Sequence, residues 1–424
     1  MSFLEQAFHK GNRQRFYDMM VPDSMLVLFS GKEVRKTNDE YYPFYADRSF
    51  VYMTGIEQKE SVLVAVKAGS TTTERLYLLP SDPMAERWTG RRLTAAEAEQ
   101  VSGVSDIRPV SQLQADLHTL LAGGHYSTAT AQLGSIYLDL YRAALDDIDR
   151  PAHVFLRTVQ SDYAYLRVEN ANELLRRLRL IKQPCEIEAV RKAEVITGEA
   201  IMAMMKASRP GMYEYQYKAE FDHVLGQYGP QGPGFPSIIS AGANNFCIHY
   251  YSYTGQAHDG DMVLNDVGAQ WDNHTTDVSR GWPCNGKFTE RQKLLFECAL
   301  ATSNHMFETV KPGLPMPFID QEIRRYNAQL LKDAGVLEDV GQIGKLMWHG
   351  GAHHVGYDVH DVVKTPEKIG PGMVFCIDVG IYHEEWGIGF RLEDNLLVTE
   401  AGCENLSAAI PRTVHDIEAV MRKG

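Results

Sequence analysis

The chain has 424 residues, 44% of them hydrophobic and 23% charged, with a formal net charge of −13. Such a length accommodates about two to three domains with real cores, and the negative charge opposes nucleic acid and anionic membrane surfaces as partners. No stretch approaches the ~18 uninterrupted apolar residues of a membrane helix, so a soluble protein is expected.

The opening, MSFLEQAFHKGNRQRF, has no basic segment leading into an apolar core, and no secretory signal is expected. Cys185, Cys247, Cys284, Cys298, Cys376 and Cys403 lie far apart, without a C-x-x-C pair. They read as reduced thiols of a cytoplasmic protein rather than as a disulfide framework.

Up to about Val168, short apolar runs that read as strands, MLVLF, FVYMTGI, SVLVAVKA and RLYLLP, alternate with polar or helical stretches such as TAAEAEQV. That pattern predicts an α/β domain over residues 1–172. The most basic run, LLRRLRLIK from Leu174 to Lys182, reads as the solvated face of a helix. Pro184 then opens a long run of good helix formers, CEIEAVRKAEVITGEAIMAMMKAS, with proline tolerated in the first turn. A second domain is placed at 173–424.

This second part carries a weak internal repeat. A helix ends in SRPGM (Ser208 to Met212) and leads to YEYQYKAEFDHVL; further on a helix ends in VKPGL (Val310 to Leu314) and leads to IDQEIRRYNAQLL. Downstream of each comes a strand with the same tripeptide, MVLNDVG through Gly268 and MVFCIDVG through Gly380. Two related αβ halves forming one domain are inferred.

In VLNDVGAQWDNHTTDVSR, β-rich runs flank a turn-prone Trp-Asp-Asn centre, the signal of a hairpin. With Trp271 and Asp272 as the loop, Asp266 stands directly opposite Asp277, with β-carbons ~5 Å apart. Sliding the two-residue loop by one position makes the pair diagonal but leaves both on one face. The second half repeats this in FCIDVGIYHEEWGIGFRLEDNLLVT, where a turn centred on Glu385 and Trp386 pairs Asp378 with Glu393. Glu384 and Glu385 themselves read as exposed turn residues. Facing carboxylates in a half-buried sheet repel unless a proton, a base or a cation offsets them. Two-metal hydrolases hold their ions ~3.5–4 Å apart with bridging carboxylates, a separation that two such acid pairs can supply.

The segment WHGGAHHVGYDVHD, Trp348 to Asp361, holds four histidines. Gly350 and Gly351 after the first make a regular helix with His349 and His353 on one face doubtful, unlike an H-E-x-x-H site. Loop or strand-end chemistry is expected, with one neutral nitrogen ligand and the other histidines free for proton transfer or substrate contact.

These residues carry a resemblance. Asp266, Asp277, a histidine inside HGGAHHVGYDVHD, an acid followed by x-Gly, and GIGFRLEDNLLVT together resemble the metallopeptidases of pita-bread fold, and among them the Xaa-Pro aminopeptidases (aminopeptidase P) and prolidases. DRSFVYMTGI and DPMAERWTGRR are similar to segments of the aminopeptidase P N-terminal domain, and RLIKQPCEIEAVRKA resembles the helix that opens its catalytic domain. The resemblance implies an N-terminal α/β domain with a mixed sheet before a pita-bread catalytic domain of two pseudo-symmetric αβ halves. It implies removal of the first residue from peptides with proline second.

Carried over position by position, it makes Asp266, Asp277, His353, Asp378 and Glu393 the ligands of two divalent ions, manganese most often in this family, with cobalt or zinc as alternatives. Asp277 and Glu393 would bridge. It also implies that His349 is an outer proton carrier, that His360 donates to the oxygen of the scissile bond, and that His249 binds substrate. Arg391 would anchor the site, and His354 would be a bystander. A homodimer or homotetramer is implied, in which Trp88 can reach a neighbouring subunit's site.

Three departures stand out. The family has Glu-Pro-Gly where this chain has Asp378-Val379-Gly380, an acid shorter by about one C–C bond, ~1.5 Å. His274 stands where the family commonly has tyrosine and reads as a surface hairpin residue. VVKTPEKIGPGM lacks an arginine that many relatives carry, with Lys364 or Lys368 nearby. The competing readings are a prolidase acting on Xaa-Pro dipeptides, a metal-free relative resembling creatinase, and a weakly active or non-catalytic binding relative.

Overall fold

The computed structural model describes residues 3–121, 132–229 and 231–422. They fall into two compact units, one ending at Leu178 and the other beginning at Arg179. No helix among the described residues is long and apolar enough to cross a membrane.

The first unit is built on a six-stranded sheet of β1 (Ser24–Phe29), β2 (Val62–Ala68), β3 (Thr71–Leu78), β4 (Ile107–Pro109), β5 (Ser135–Leu138) and β6 (Arg167–Asn170), in the order β4-β3-β2-β1-β5-β6. The pairs β1/β2 and β2/β3 are antiparallel, and β3/β4, β1/β5 and β5/β6 are parallel, so the sheet is mixed as expected. MLVLF, SVLVAVKA and RLYLLP lie in its strands, and TAAEAEQV forms the helix Ala95–Ser102.

FVYMTGI departs from expectation. It belongs to the helix Arg48–Thr54, in which every residue is buried. A short run that is apolar on all sides has neither a strand's nor a helix's periodicity, so the pattern cannot separate the two. The ends decide it: the Asp47 side chain accepts from the Phe50 amide at 3.1 Å, and Gly55 closes the helix with φ 71°.

The second unit contains the two αβ halves. The first has helices Pro184–Ala207 and Glu214–Tyr228 with a sheet of β7 (Ile238–Ala241), β8 (Met262–Val267) and β11 (Val278–Pro283), ordered β11-β8-β7. Its hairpin tip is the small ladder of β9 (Gln270–Trp271) and β10 (His274–Thr275). The second half has helices Glu290–Thr309 and Pro317–Asp333 with a sheet of β12 (Val374–His383), β13 (Ile388–Val398) and β14 (Cys403–Asn405). Each half thus joins a helix pair to an antiparallel hairpin, but the third strand precedes the hairpin in one and follows it in the other.

The halves meet where β13 lies against β8 and β11. A Cβ on Gly281 would fall 2.6 Å from the Phe390 Cβ, so glycine is what lets these strands approach. Trp282, Phe296 and Phe390 share one buried cluster beneath them. This contact brings the acid-bearing face of each hairpin to a common centre.

Candidate metal centre

The second hairpin has the expected register: Asp378 stands opposite Glu393, although the loop spans four residues, Glu384 to Gly387. Both Glu384 and Glu385 are exposed. The first hairpin is displaced by one position. His274 pairs with Trp271 and Ser279 with Asp266, so the turn residues are Asp272 and Asn273 rather than Trp271 and Asp272. Both turn residues have positive φ, 48° and 63°. Asp and Asn tolerate that left-handed geometry and a tryptophan does not, which is why the turn slides. Asp266 and Asp277 are therefore diagonal, yet period-2 alternation keeps them on one face.

The four acids are buried. Carboxylate oxygens of Asp266, Asp277 and Glu393 lie within 4.8 Å of one another. Asp266 Oδ2 accepts from Arg391 Nη1 at 2.5 Å, and Glu393 Oε2 accepts from Ser279 Oγ at 2.8 Å. His353 Nε2 is 3.3 Å from Asp277 Oδ2 and 4.0 Å from Glu393 Oε1. Oδ1 of Asp266, of Asp277 and of Asp378 has no hydrogen-bond partner. Buried, unpartnered anionic oxygens facing each other are costly unless a cation lies among them, and hard oxygens plus one imidazole are donors that divalent ions accept. The residues fit the metal centre that the sequence implies.

Electrostatics agree. Burial pushes Asp277, Glu393 and Asp378 above the ordinary carboxylate range; Asp266 raises Asp277 further, and Asp277 and Asp378 raise Glu393. Burial also lowers His353, which favours the neutral imidazole, while Asp378 and Asp266 oppose the shift.

The histidine segment forms no helix. It runs beside β12, because the Asp378 amide donates to Gly351 O at 2.8 Å and the Cys376 amide to His353 O at 3.0 Å. His349 Nδ1 lies 3.2 Å from Asp378 Oδ2, and its Nε2 lies 3.0 Å from the Tyr382 hydroxyl. The His360 ring lies 3.9 Å from that of His353. His249 is exposed and stacks on Tyr251, while the neighbouring Ile248 carbonyl accepts from Arg391 Nη2 at 2.7 Å. His354 is buried with neither ring nitrogen hydrogen-bonded. Asp378 lies outside the tightest groups of potential ligands among the described residues.

Two expectations are corrected. His274 is fully buried, with Nε2 3.1 Å from Glu186 Oε1 and its ring edge-on to Tyr357. In the basic run, Arg179 and Lys182 are buried as well, with Lys182 Nζ donating to Asp361 Oδ2 at 2.7 Å. In each case a distant carboxylate draws the polar group inside.

Tyr382, Ser279 and Cys376 were not anticipated at the centre. Tyr382 accepts from Arg391 Nε at 2.7 Å, and the buried Cys376 Sγ accepts from the His353 amide at 3.4 Å. Strand parity was the available signal, since Cys376, Asp378, Gly380 and Tyr382 alternate onto one face of β12.

Residues 188–400 match the model of metallopeptidase family M24, and residues 9–128 match that of the aminopeptidase P N-terminal domain. The chain is also 31% identical to the Xaa-Pro aminopeptidase of Haemophilus influenzae, over 99% of this chain and 98% of that protein. The chain belongs to metallopeptidase family M24. A structure of zinc-substituted Escherichia coli aminopeptidase P with product is similar with a TM-score of 0.89 at 29% identity, covering 99% of both chains. Another, of a variant of the same enzyme with substrate, gives 0.88 at 29% identity and covers 98% of both. The fold is accordingly the mixed α/β arrangement expected, an N-terminal domain followed by an M24 catalytic domain, and the cofactors are divalent metal ions.

Proposed function

We propose that this protein is an Xaa-Pro aminopeptidase, removing the first residue of peptides whose second is proline. The observation that carries the reading is the convergence of Asp266, Asp277, Asp378 and Glu393 beside His353, with three buried carboxylate oxygens unpartnered. Full-length similarity to Xaa-Pro aminopeptidases supports the substrate class. Manganese is the proposed metal, a cytoplasmic homodimer or homotetramer the proposed form, and 1–172 and 173–424 the proposed domains. The gap between the two matched regions, 9–128 and 188–400, supports that boundary.

Asp266, Asp277, His353, Asp378 and Glu393 would hold two ions. Such ions, when bound, acidify water and polarise a peptide carbonyl. The protein's own groups supply the rest. Arg391 fixes the Asp266 carboxylate and the Tyr382 hydroxyl together. Asp378 is the proton acceptor for the attacking water, and His349, between Asp378 and Tyr382, carries that proton onward. His360 donates to the developing oxyanion, and the exposed His249 contacts the incoming peptide. Trp88, 84% exposed, is free to meet a second subunit.

The deciding experiment compares Xaa-Pro tripeptides with Xaa-Pro dipeptides and with non-proline controls, using manganese-loaded protein. Faster cleavage of the longer proline peptides is expected. Preference for dipeptides indicates a prolidase, and no turnover with manganese, cobalt or zinc rejects the enzyme reading.

A further inference from the structure

Asp361 directly follows His360, and its carboxylate is buried between two cations. Lys182 Nζ donates to its Oδ2 at 2.7 Å, and Arg179 Nη2 donates to its Oδ1 and, at 2.6 Å, to Asp358 Oδ2. The side chains of Arg179, Lys182 and Asp361 are 4%, 1% and 1% exposed. Two cations face two anions, so the cluster is neutral as a whole. None of these groups touches the metal-centre carboxylates.

What the cluster does touch is the histidine loop. The Asp361 amide donates to His354 O at 2.8 Å, closing the loop on itself. A Cβ on Gly356 would lie 2.5 Å from Asp361 Oδ2 and 3.0 Å from Lys182 Cε, so the loop backbone rests on the ions. On the other side Gly356 O accepts from the Thr275 amide at 2.9 Å, two residues before Asp277. His354 bridges to Phe375 and the Val355 amide donates to Val374 O at 3.2 Å, but from Gly356 to Asp361 the chain has no helix or strand ladder of its own to set its course. A buried ion cluster is often no more stabilising than apolar packing, but it specifies one register where backbone pairing does not.

We propose that Arg179, Lys182 and Asp361 form a positioning triad that holds the loop so that His353 reaches Asp277 and Glu393 and His360 lies against it. This rests on the roles proposed above for those two histidines. The triad acts through the loop and makes no contact with substrate.

The test uses the full-length, metal-free protein, titrated with manganese ion by calorimetry, and then steady-state kinetics on an Xaa-Pro tripeptide. Supporting partners of metal ligands typically change affinity by ~10–100-fold. Asp361→Asn is expected to weaken manganese binding and to lower kcat by at least ~10-fold each, with KM changed by less than ~3-fold. Lys182→Met, which removes the Lys182 bonds to Asp361 and to the Arg179 carbonyl but keeps the Arg179–Asp361 ion pair, moves both quantities in the same direction by less. Folded Asp361→Asn with wild-type affinity and kcat overturns the proposal, as does a lower melting temperature with both unchanged. If Asp361→Asn does not fold, Lys182→Met decides on the same two quantities. Should the unaltered protein bind manganese but cleave no Xaa-Pro peptide, the substrate reading fails, and the manganese affinities alone decide the triad.

Discussion

A Cβ placed on Gly380 would lie 2.3 Å from Nε2 of His349. The imidazole occupies the space that any other residue at 380 would fill, and from there its two nitrogens face Asp378 and Tyr382. Gly380→Ala is therefore expected to push His349 aside while leaving the carboxylates in place. Misplacement by ~1 Å can cost on the order of 100-fold in rate. Kinetics on an Xaa-Pro tripeptide should show kcat reduced by at least ~10-fold with manganese stoichiometry unchanged. Unaltered kcat would remove His349 from the proton path.

Glu186 and His274 make a second prediction, one of stability. Glu186 accepts from the Gln183 amide at 2.9 Å through one oxygen and faces His274 through the other. His274→Leu leaves that second oxygen buried and unsatisfied, at a cost of ~1–3 kcal/mol. Denaturant unfolding should show a lower midpoint, whereas an unchanged one would mean the pair contributes nothing.

The two hairpins show where sequence pattern suffices. Asp378 and Glu393 could be paired from the text because the β12–β13 ladder continues in register up to a turn centred where the pattern placed it. The first turn was misplaced by one residue because the backbone conformation of Asp272 and Asn273 outweighs the simplest centring of the apolar runs. Same-face placement survived, since it depends only on parity. His274 and Lys182 were not legible for another reason. Their carboxylate partners lie 88 and 179 residues away, and no local pattern records that a distant acid will offset burial. The Arg48–Thr54 helix failed more locally, its periodicity erased by burial on every side.

Proton linkage gives a third prediction. In the metal-free protein Asp277, Glu393 and Asp378 titrate above their ordinary values, chiefly because they are buried. Unfolded carboxylates titrate near ~4, so above that pH the folded protein binds more protons than the unfolded one. The contribution of these three carboxylates to the stability of the metal-free form must then fall as pH rises from ~4 through the raised folded values, while His353, His354 and His360, lowered chiefly by burial, act in the opposite sense below ~6.5. A divalent ion held by these carboxylates would take the place of those protons, so the stabilising effect of added manganese should grow from about pH 5 to pH 8, and binding should release protons. Calorimetry in two buffers of different ionisation enthalpy measures the release directly. Equal apparent enthalpies in both would sink this account.

Asp378 supplies the last. It faces Glu393 in the ladder, and its charge reaches Glu393 and Asp277, yet its oxygens fall outside the tight ligand groups. One carboxylate oxygen turns instead toward His349 at 3.2 Å, and the other has no partner. A side chain one methylene shorter than glutamate fails by ~1.5 Å to extend as far from the β12 backbone. Because β12 is held on both sides, by Glu393's strand and by the Gly351 carbonyl, the strand has little freedom to move inward and compensate. One of the two ions should therefore bind more weakly than the other in the natural protein. Asp378→Glu is expected to tighten that weaker step by ~10-fold or more, since a full ligand contact is gained while the other four groups stay fixed. Manganese titration of the metal-free variant would show two comparable binding events in place of two unequal ones. If both forms already bind two ions equally, the aspartate reaches its ion as it stands, and the shorter acid imposes no penalty on the centre.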